Sequence, residues 1–285
     1  QTGNAQCSDK YLLDRGHVDI KAQPAEGGFA TVLRDDTAQV DKKSVDRKLD
    51  DVVLGVHDNA LTPRNKKLAG KEFDFLGKPG ERFYHLPQTQ DQNIIWPGYN
   101  TQDLDYSLTK DNAVNLNLKP TSTPDGAEWG AFIDGSHGKG FSVLANSAAK
   151  DYTIETNFPA HTHTHWAFSK PGVYTFEATY TATGKDGKEL KSEPQTLTFA
   201  VGDKTLDSCS SRKPSDSEGE TPSERPTEKP DEKPDDAAKP EEPTGSSLSP
   251  WSLVLPAVLV VVFKAFYNFF RDNEDLIRRR FGLKF

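Results

Sequence analysis

Through the first two hundred residues, short segments that alternate or run apolar recur often, and no long 3.6-period helix competes with them. Residues 113–119, AVNLNLK, set Val114, Leu116 and Leu118 against Asn115 and Asn117. In a strand, that spacing sends the apolar set to one face and the polar set to the other. Residues 50–56 (DDVVLGV), 141–147 (FSVLANS) and 196–202 (TLTFAVG) alternate or run apolar over strand lengths. Residues 172–182, GVYTFEATYTA, are rich in β-branched and aromatic side chains. The Asp186-Gly187 pair that follows predicts a hairpin between this strand and residues 196–201. Trp166, Phe168, Tyr174 and Phe176 alternate around a Pro171-Gly172 turn and read as core. One short helix is expected over residues 41–51. Many short strands separated by turn signals predict an all-β fold, an immunoglobulin-like β-sandwich spanning residues 1–207, built as one elaborated sandwich or as two fused β-layers.

The pattern changes abruptly after residue 207. Residues 208–247 repeat Pro, Glu, Lys, Asp and Ser, as in RPTEKPDEKPDDAAKPEEP, with no apolar period. Such a composition cannot bury a core and predicts a disordered Pro/Glu/Lys stalk. At about 3.1 Å per residue in polyproline II form, its upper reach is on the order of 120 Å. Residues 248–270 then form an apolar run of 23 residues with one charge, Lys264. That length matches a hydrocarbon core of roughly 30 Å. Trp251 lies near one end, and Tyr267, Phe269 and Phe270 near the other, as at membrane interfaces. Lys264 can snorkel to the boundary. Arg271, three consecutive arginines from Arg278 and Lys284 follow, so residues 271–285 read as a cytoplasmic tail. The expected location is the plasma membrane: single-pass, with the N-terminal domain extracytoplasmic.

Charge and cysteine usage sharpen this picture. The formal net charge is −8, which disfavours nucleic acid as a partner. The chain contains no methionine and begins at Gln1, as expected if a secretory signal peptide has been removed. The two cysteines, Cys7 and Cys209, bracket the β-rich region and predict one disulfide across an exported domain.

The candidate chemistry lies in histidines. His161, His163 and His165 occupy alternate positions, which in one extended strand would stand in a row about 6.5–7 Å apart. Neutral imidazole is a common ligand for zinc and other late transition metals. His17 and Asp19 are also two apart and share a strand face. Joined to the row, they would complete a site for a divalent transition metal such as zinc, with Asp19 as a ligand or as an orienting carboxylate. The alternatives stay open: a polar strand face, or a buried His/Asp hydrogen-bond network. His57, His85 and His137 read as isolated surface or packing residues. No GxSxG, HExxH or phosphate loop occurs, and the glycine-rich stretch 135–140 reads as a loop. The chain therefore reads as a non-enzyme.

Several segments also resemble one known family. LLDRGHVDI (12–20), FYHLPQTQDQNIIWPGY (83–99) and HTHTHWAFSKPGVYTF (161–176) occur in order, followed by DG at 186 and FAVGD at 199–203. This combination is similar to the actinobacterial surface-anchored protein domain, also described as the choice-of-anchor M domain, over residues 11–203. Its GHVD motif falls on Gly16, His17, Val18 and Asp19, and its HxHxxW motif on His161, His163 and Trp166. The resemblance implies an exported surface module, in a family often associated with metal-type ABC transporters. The expected function is a membrane-anchored binding module, with a transition metal as candidate ligand. The alternative is a non-catalytic accessory subunit of a larger envelope complex, such as a transporter or respiratory assembly.

Overall fold

The computed structural model describes residues 4–135 and 140–209. In chain order its strands are β1 (Tyr11–Leu13), β2 (Gly16–Ala25), β3 (Gly28–Asp35), β4 (Val45–Arg47), β5 (Val52–Val56), β6 (Leu61–Pro63), β7 (Arg82–Leu86), β8 (Ile95–Asn100), β9 (Val114–Ser122), β10 (Trp129–Asp134), β11 (Phe141–Asn146), β12 (Thr153–Thr156), β13 (His161–His163), β14 (His165–Phe168), β15 (Gly172–Thr183), β16 (Glu189–Lys191) and β17 (Gln195–Val201). A short helix, α1 (Asp203–Leu206), follows. The all-β expectation holds, and no closed barrel forms. Among the described residues no helix is long and apolar enough to cross a membrane. Residues 210–247 of the expected stalk, the apolar run with Trp251 and Lys264, the tail from Arg271, and His137 all lie outside the described residues.

The strands divide into three sheets. The first has the order β1-β5-β17-β15-β9-β12, with β16 paired to β15. Its β5 is paired in parallel on both sides and buried at all five positions, which accounts for the unbroken apolar run VVLGV. In β9, by contrast, Val114, Leu116 and Leu118 are buried while Asn115 and Asn117 are partly open, as their alternation predicts. The β15–β16 hairpin turns at Asp186-Gly187, where Gly187 has φ +82°, a backbone region that L side chains rarely adopt.

The second sheet runs β11-β10-β14-β7-β6. It packs on the first through an aromatic layer. Trp166 and Phe168 of β14 meet Phe199 of β17 at ring separations of 5.1 and 5.0 Å, and Trp129 of β10 meets Phe176 of β15 at 4.6 Å. The four residues expected to be core, Trp166, Phe168, Tyr174 and Phe176, are all buried. On this sheet's other side, Phe73, Phe75 and Leu76 pack against Phe83 and Phe132. Arg64 holds that loop in place. Its buried guanidinium donates to the carbonyls of Leu68, Gly70 and Gly77 and to the Asp74 carboxylate. Burial of the charge is tolerable because its donors are matched by acceptors.

The third sheet, β13-β8-β2-β3-β4, carries the candidate site. It is tied to the first by Tyr180 of β15, whose fully buried hydroxyl donates to the Ile20 carbonyl of β2 at 2.7 Å. Thr31 of β3 also donates to Ser192 at 2.7 Å. These bonds tie β2 and β3 to the first sheet. The helix expected over residues 41–51 does not form. Val45–Arg47 is instead β4, paired to β3, and only the 3₁₀ turn Leu49–Asp51 is helical. Tertiary pairing prevails here, because Arg47 reaches from β4 to the carboxylates of Asp35 and Asp41.

The two ends of the domain meet. Cys7 and Cys209 are disulfide-bonded, with Cα atoms 5.3 Å apart. Nearby, His57 is not isolated. Its Nδ1 is 2.7 Å from Asp203 Oδ1 and its Nε2 is 3.2 Å from Asp14 Oδ2. Burial pulls the His57 pKa down, but the hydrogen bonds to Asp203 and Asp14 outweigh it, so the net shift is upward from 6.5. The stabilisation is then fully present below the unfolded value of 6.5 and is lost as pH rises through the higher folded value. The pair is partly solvated, so its contribution is about a few tenths of a kcal/mol. Thermal unfolding across this range should show stability falling with rising pH in the wild type and a flatter profile in His57→Gln. An equal slope in both would remove His57 as the cause.

Candidate metal centre

The site is built on three adjacent strands. β2 runs parallel to β8 with Asp19 opposite Gly98 and His17 opposite Trp96. β13 runs antiparallel on the other side of β8, with His163 opposite Gly98 and His161 opposite Asn100. Asp19, Gly98 and His163 therefore form one row across three strands. Alternate residues share a sheet face, so His17, Asp19, His161 and His163 converge above β8. Gly98 leaves the room for this. A Cβ there would come within 2.6 Å of Asp19 Oδ1 and 2.9 Å of His163 Cε1.

The four ligand atoms all lie within 4.8 Å of one another. His17 Nε2 is 2.9 Å from His163 Nε2 and 3.3 Å from His161 Nε2. Asp19 Oδ2 is 2.9 Å from His161 Nε2 and 3.6 Å from His17 Nε2. A tetrahedral ion with bonds of roughly 2.0–2.1 Å has ligand–ligand edges of about 3.3–3.4 Å. The observed edges scatter around that value. Each neutral Nε2 presents either one proton or one lone pair, so three of them facing one another cannot all pair among themselves. Asp19 adds a second anomaly: its Oδ1 is buried without a hydrogen-bond partner. An unpartnered buried carboxylate oxygen beside three converging imidazoles fits a cation.

Electrostatics agree with the geometry. Burial first, and then the nearby His17 and His161, lower the His163 pKa to about 3, so this imidazole stays neutral. Trp96 stacks on it with ring centres 3.5 Å apart and planes 12° apart. Burial raises the pKa of Asp19, while His17 and His161 pull it partly back. Side-chain exposure grades from 1% at Asp19 through 9% at His163 and 19% at His17 to 35% at His161. The cluster thus opens to solvent on the His161 side.

His165 does not join this cluster, contrary to the expected three-residue row. The extended run breaks at Thr164, which is buried, and β14 enters the second sheet. There His165 Nδ1 accepts from the Gln88 backbone N–H at 3.1 Å and lies 2.9 Å from His85 Nε2. Its ring stacks on Phe132 at 4.7 Å. His85, expected to be isolated, is its partner, and burial lowers the His85 pKa to about 4. This pair fits the satisfied hydrogen-bond network that the sequence left open as an alternative for the whole row.

Trp96, Gly98, Asn100 and Asp36 surround the site without having been anticipated. Asn100 Nδ2 donates to Asp19 Oδ2 at 3.5 Å. Asp36 Oδ2 lies 2.9 Å from His17 Nδ1. One of these was legible. The Glu26-Gly27 turn sets a β2–β3 register in which Ala25 faces Gly28 and Val18 faces Asp35, which puts Asp36 opposite His17. The β8 residues carried no comparable signal, because parallel pairing has no adjoining turn to fix its register. Comparison of the chain with protein-family models, curated proteins and solved structures finds no match.

Proposed function

We propose that this protein is a cell-surface binding module that holds a divalent transition metal, with zinc the best fit, through His17, Asp19, His161 and His163. The observation that carries the reading is the convergence of these four side chains from β2 and β13 over Gly98. Three imidazoles and one carboxylate, without a thiolate, suit zinc better than cuprous ion. Four protein ligands complete a tetrahedron and leave no open position, which supports a non-catalytic role. The resemblance to surface-anchored actinobacterial domains supports the same reading and adds an ABC transporter as the partner that would receive the metal. A disordered stalk, a single-pass anchor and a cytoplasmic tail belong to this proposal, supported by the composition of residues 208–285, and so does an immunoglobulin-like sandwich, supported by the aromatic layer between the first two sheets. Elemental analysis of the purified ectodomain after exposure to zinc and removal of the excess tests the metal reading. One zinc per chain is expected. A metal-free protein would overturn it.

A further inference from the structure

We infer that Asp36 is a positioning residue for this site, turning the Nε2 lone pair of His17 toward the metal. The inference rests on the metal-binding reading above. His17 has two ring nitrogens with different surroundings. Nε2 faces His163, His161 and Asp19. Nδ1 faces the carboxylate of Asp36, at 2.9 Å. A carboxylate only accepts, so the neutral imidazole must carry its proton on Nδ1, and Nε2 is left as the ligand.

The sheet makes this arrangement rigid. Asp36 directly follows β3, and its backbone N–H donates to the His17 carbonyl at 3.1 Å, extending the β2–β3 ladder by one pair. His17 therefore stands between Asp36 on one neighbouring strand and Trp96 on the other. The Asp36 carboxylate is itself held. Arg34 Nε donates to its Oδ1 at 3.2 Å, and the same guanidinium donates to Asp46 Oδ1 at 3.0 Å. Gln23 secures Asp46 from the other side, at 2.7 Å. The result is a chain of fixed groups from Gln23 through Asp46, Arg34 and Asp36 to His17. Arg34 stands opposite Asp19 in the β2–β3 register, and the outer members act on His17 through Asp36, whose carboxylate restricts the tilt of the imidazole and specifies its tautomer.

The Asp36→Asn variant keeps the shape and removes the obligatory acceptor, since an amide can also donate to Nδ1 and force the proton onto Nε2. Nitrogen-15 spectra of the metal-free ectodomain at mildly alkaline pH, where free imidazole is neutral, should show His17 as the Nδ1–H tautomer in the wild type. In Asp36→Asn they should show a mixture or the Nε2–H form. Zinc affinity of the variant should fall roughly 10–100-fold, the usual cost of losing such an orienting partner. Asp103→Asn removes one carboxylate charge beside Lys21 of β2, outside this chain of groups, and its affinity should stay within about threefold of the wild type. An unchanged tautomer in Asp36→Asn, unchanged affinity, or equal losses in Asp36→Asn and Asp103→Asn would each overturn the positioning role while leaving the metal site standing. If the wild type takes up no zinc, the metal-binding reading falls and this inference falls with it.

Discussion

Zinc should stabilise the ectodomain by about 2.7 kcal/mol when free metal is a hundredfold above the dissociation constant, provided that it binds only the folded state. The site exists only in that state, because His17 and His161 are 144 residues apart in sequence and meet only through the sheet. For a domain of about 200 residues, this corresponds to a rise in Tm of roughly 5–10 °C. The double variant His161→Ala, His163→Ala should lose the rise yet still fold, because β13 is a three-residue edge strand bonded only to β8. The single variant His161→Gln, at the most exposed ligand, should lose most of the effect while keeping a polar group beside the buried Asp19. Ligation needs neutral imidazole, so protons compete with the metal and affinity falls as pH falls. His163, held at about 3 by burial and its two histidine neighbours, does not take part in that competition until the solution is strongly acidic. A wild type whose Tm ignores zinc, or a double variant that keeps the full shift, would defeat the site.

Removing the Cys7–Cys209 bond should cost roughly 3–5 kcal/mol, the chain-entropy expectation for a very long closed loop. The cysteines are 202 positions apart, so the reduced unfolded chain gains much conformational freedom. The bond also joins two segments with few other ties. The Asn4 amide donates to the Ser208 carbonyl at 2.9 Å, and Cys7 is fully buried among Val53, Val173, Ala200 and Leu206. Urea unfolding of Cys7→Ser, Cys209→Ser should show an earlier midpoint and, because the unbridged unfolded chain is more expanded, a steeper dependence on urea. Zinc affinity should be unchanged, since none of the four ligands lies in those end segments. A midpoint equal to the wild type would show that packing alone holds the ends.

Local chemistry determined several of the strands, though not β4, where residues expected to be helical pair with β3 instead. The alternation of Val114, Leu116 and Leu118 with asparagines, the apolar run of β5, and the Asp186-Gly187 turn each specify an extended segment and its buried side within a few residues. The pairing of His17 with Asp19, and of His161 with His163, was legible for the same reason: period two puts each pair on one face. The fate of His165 was not. Its spacing matches its neighbours, but the buried Thr164 marks a change of sheet, and a change of sheet is decided by which surface the next strand can cover. Nor could spacing show that β2 and β13 flank the same strand. That depends on the parallel register of β2 with β8, on the antiparallel register of β13, and on a glycine at the one position where the rows cross. A strand carries its own periodicity in its sequence, but its neighbours are chosen by burial of the whole core. Tertiary structure therefore decided which of the histidines meet.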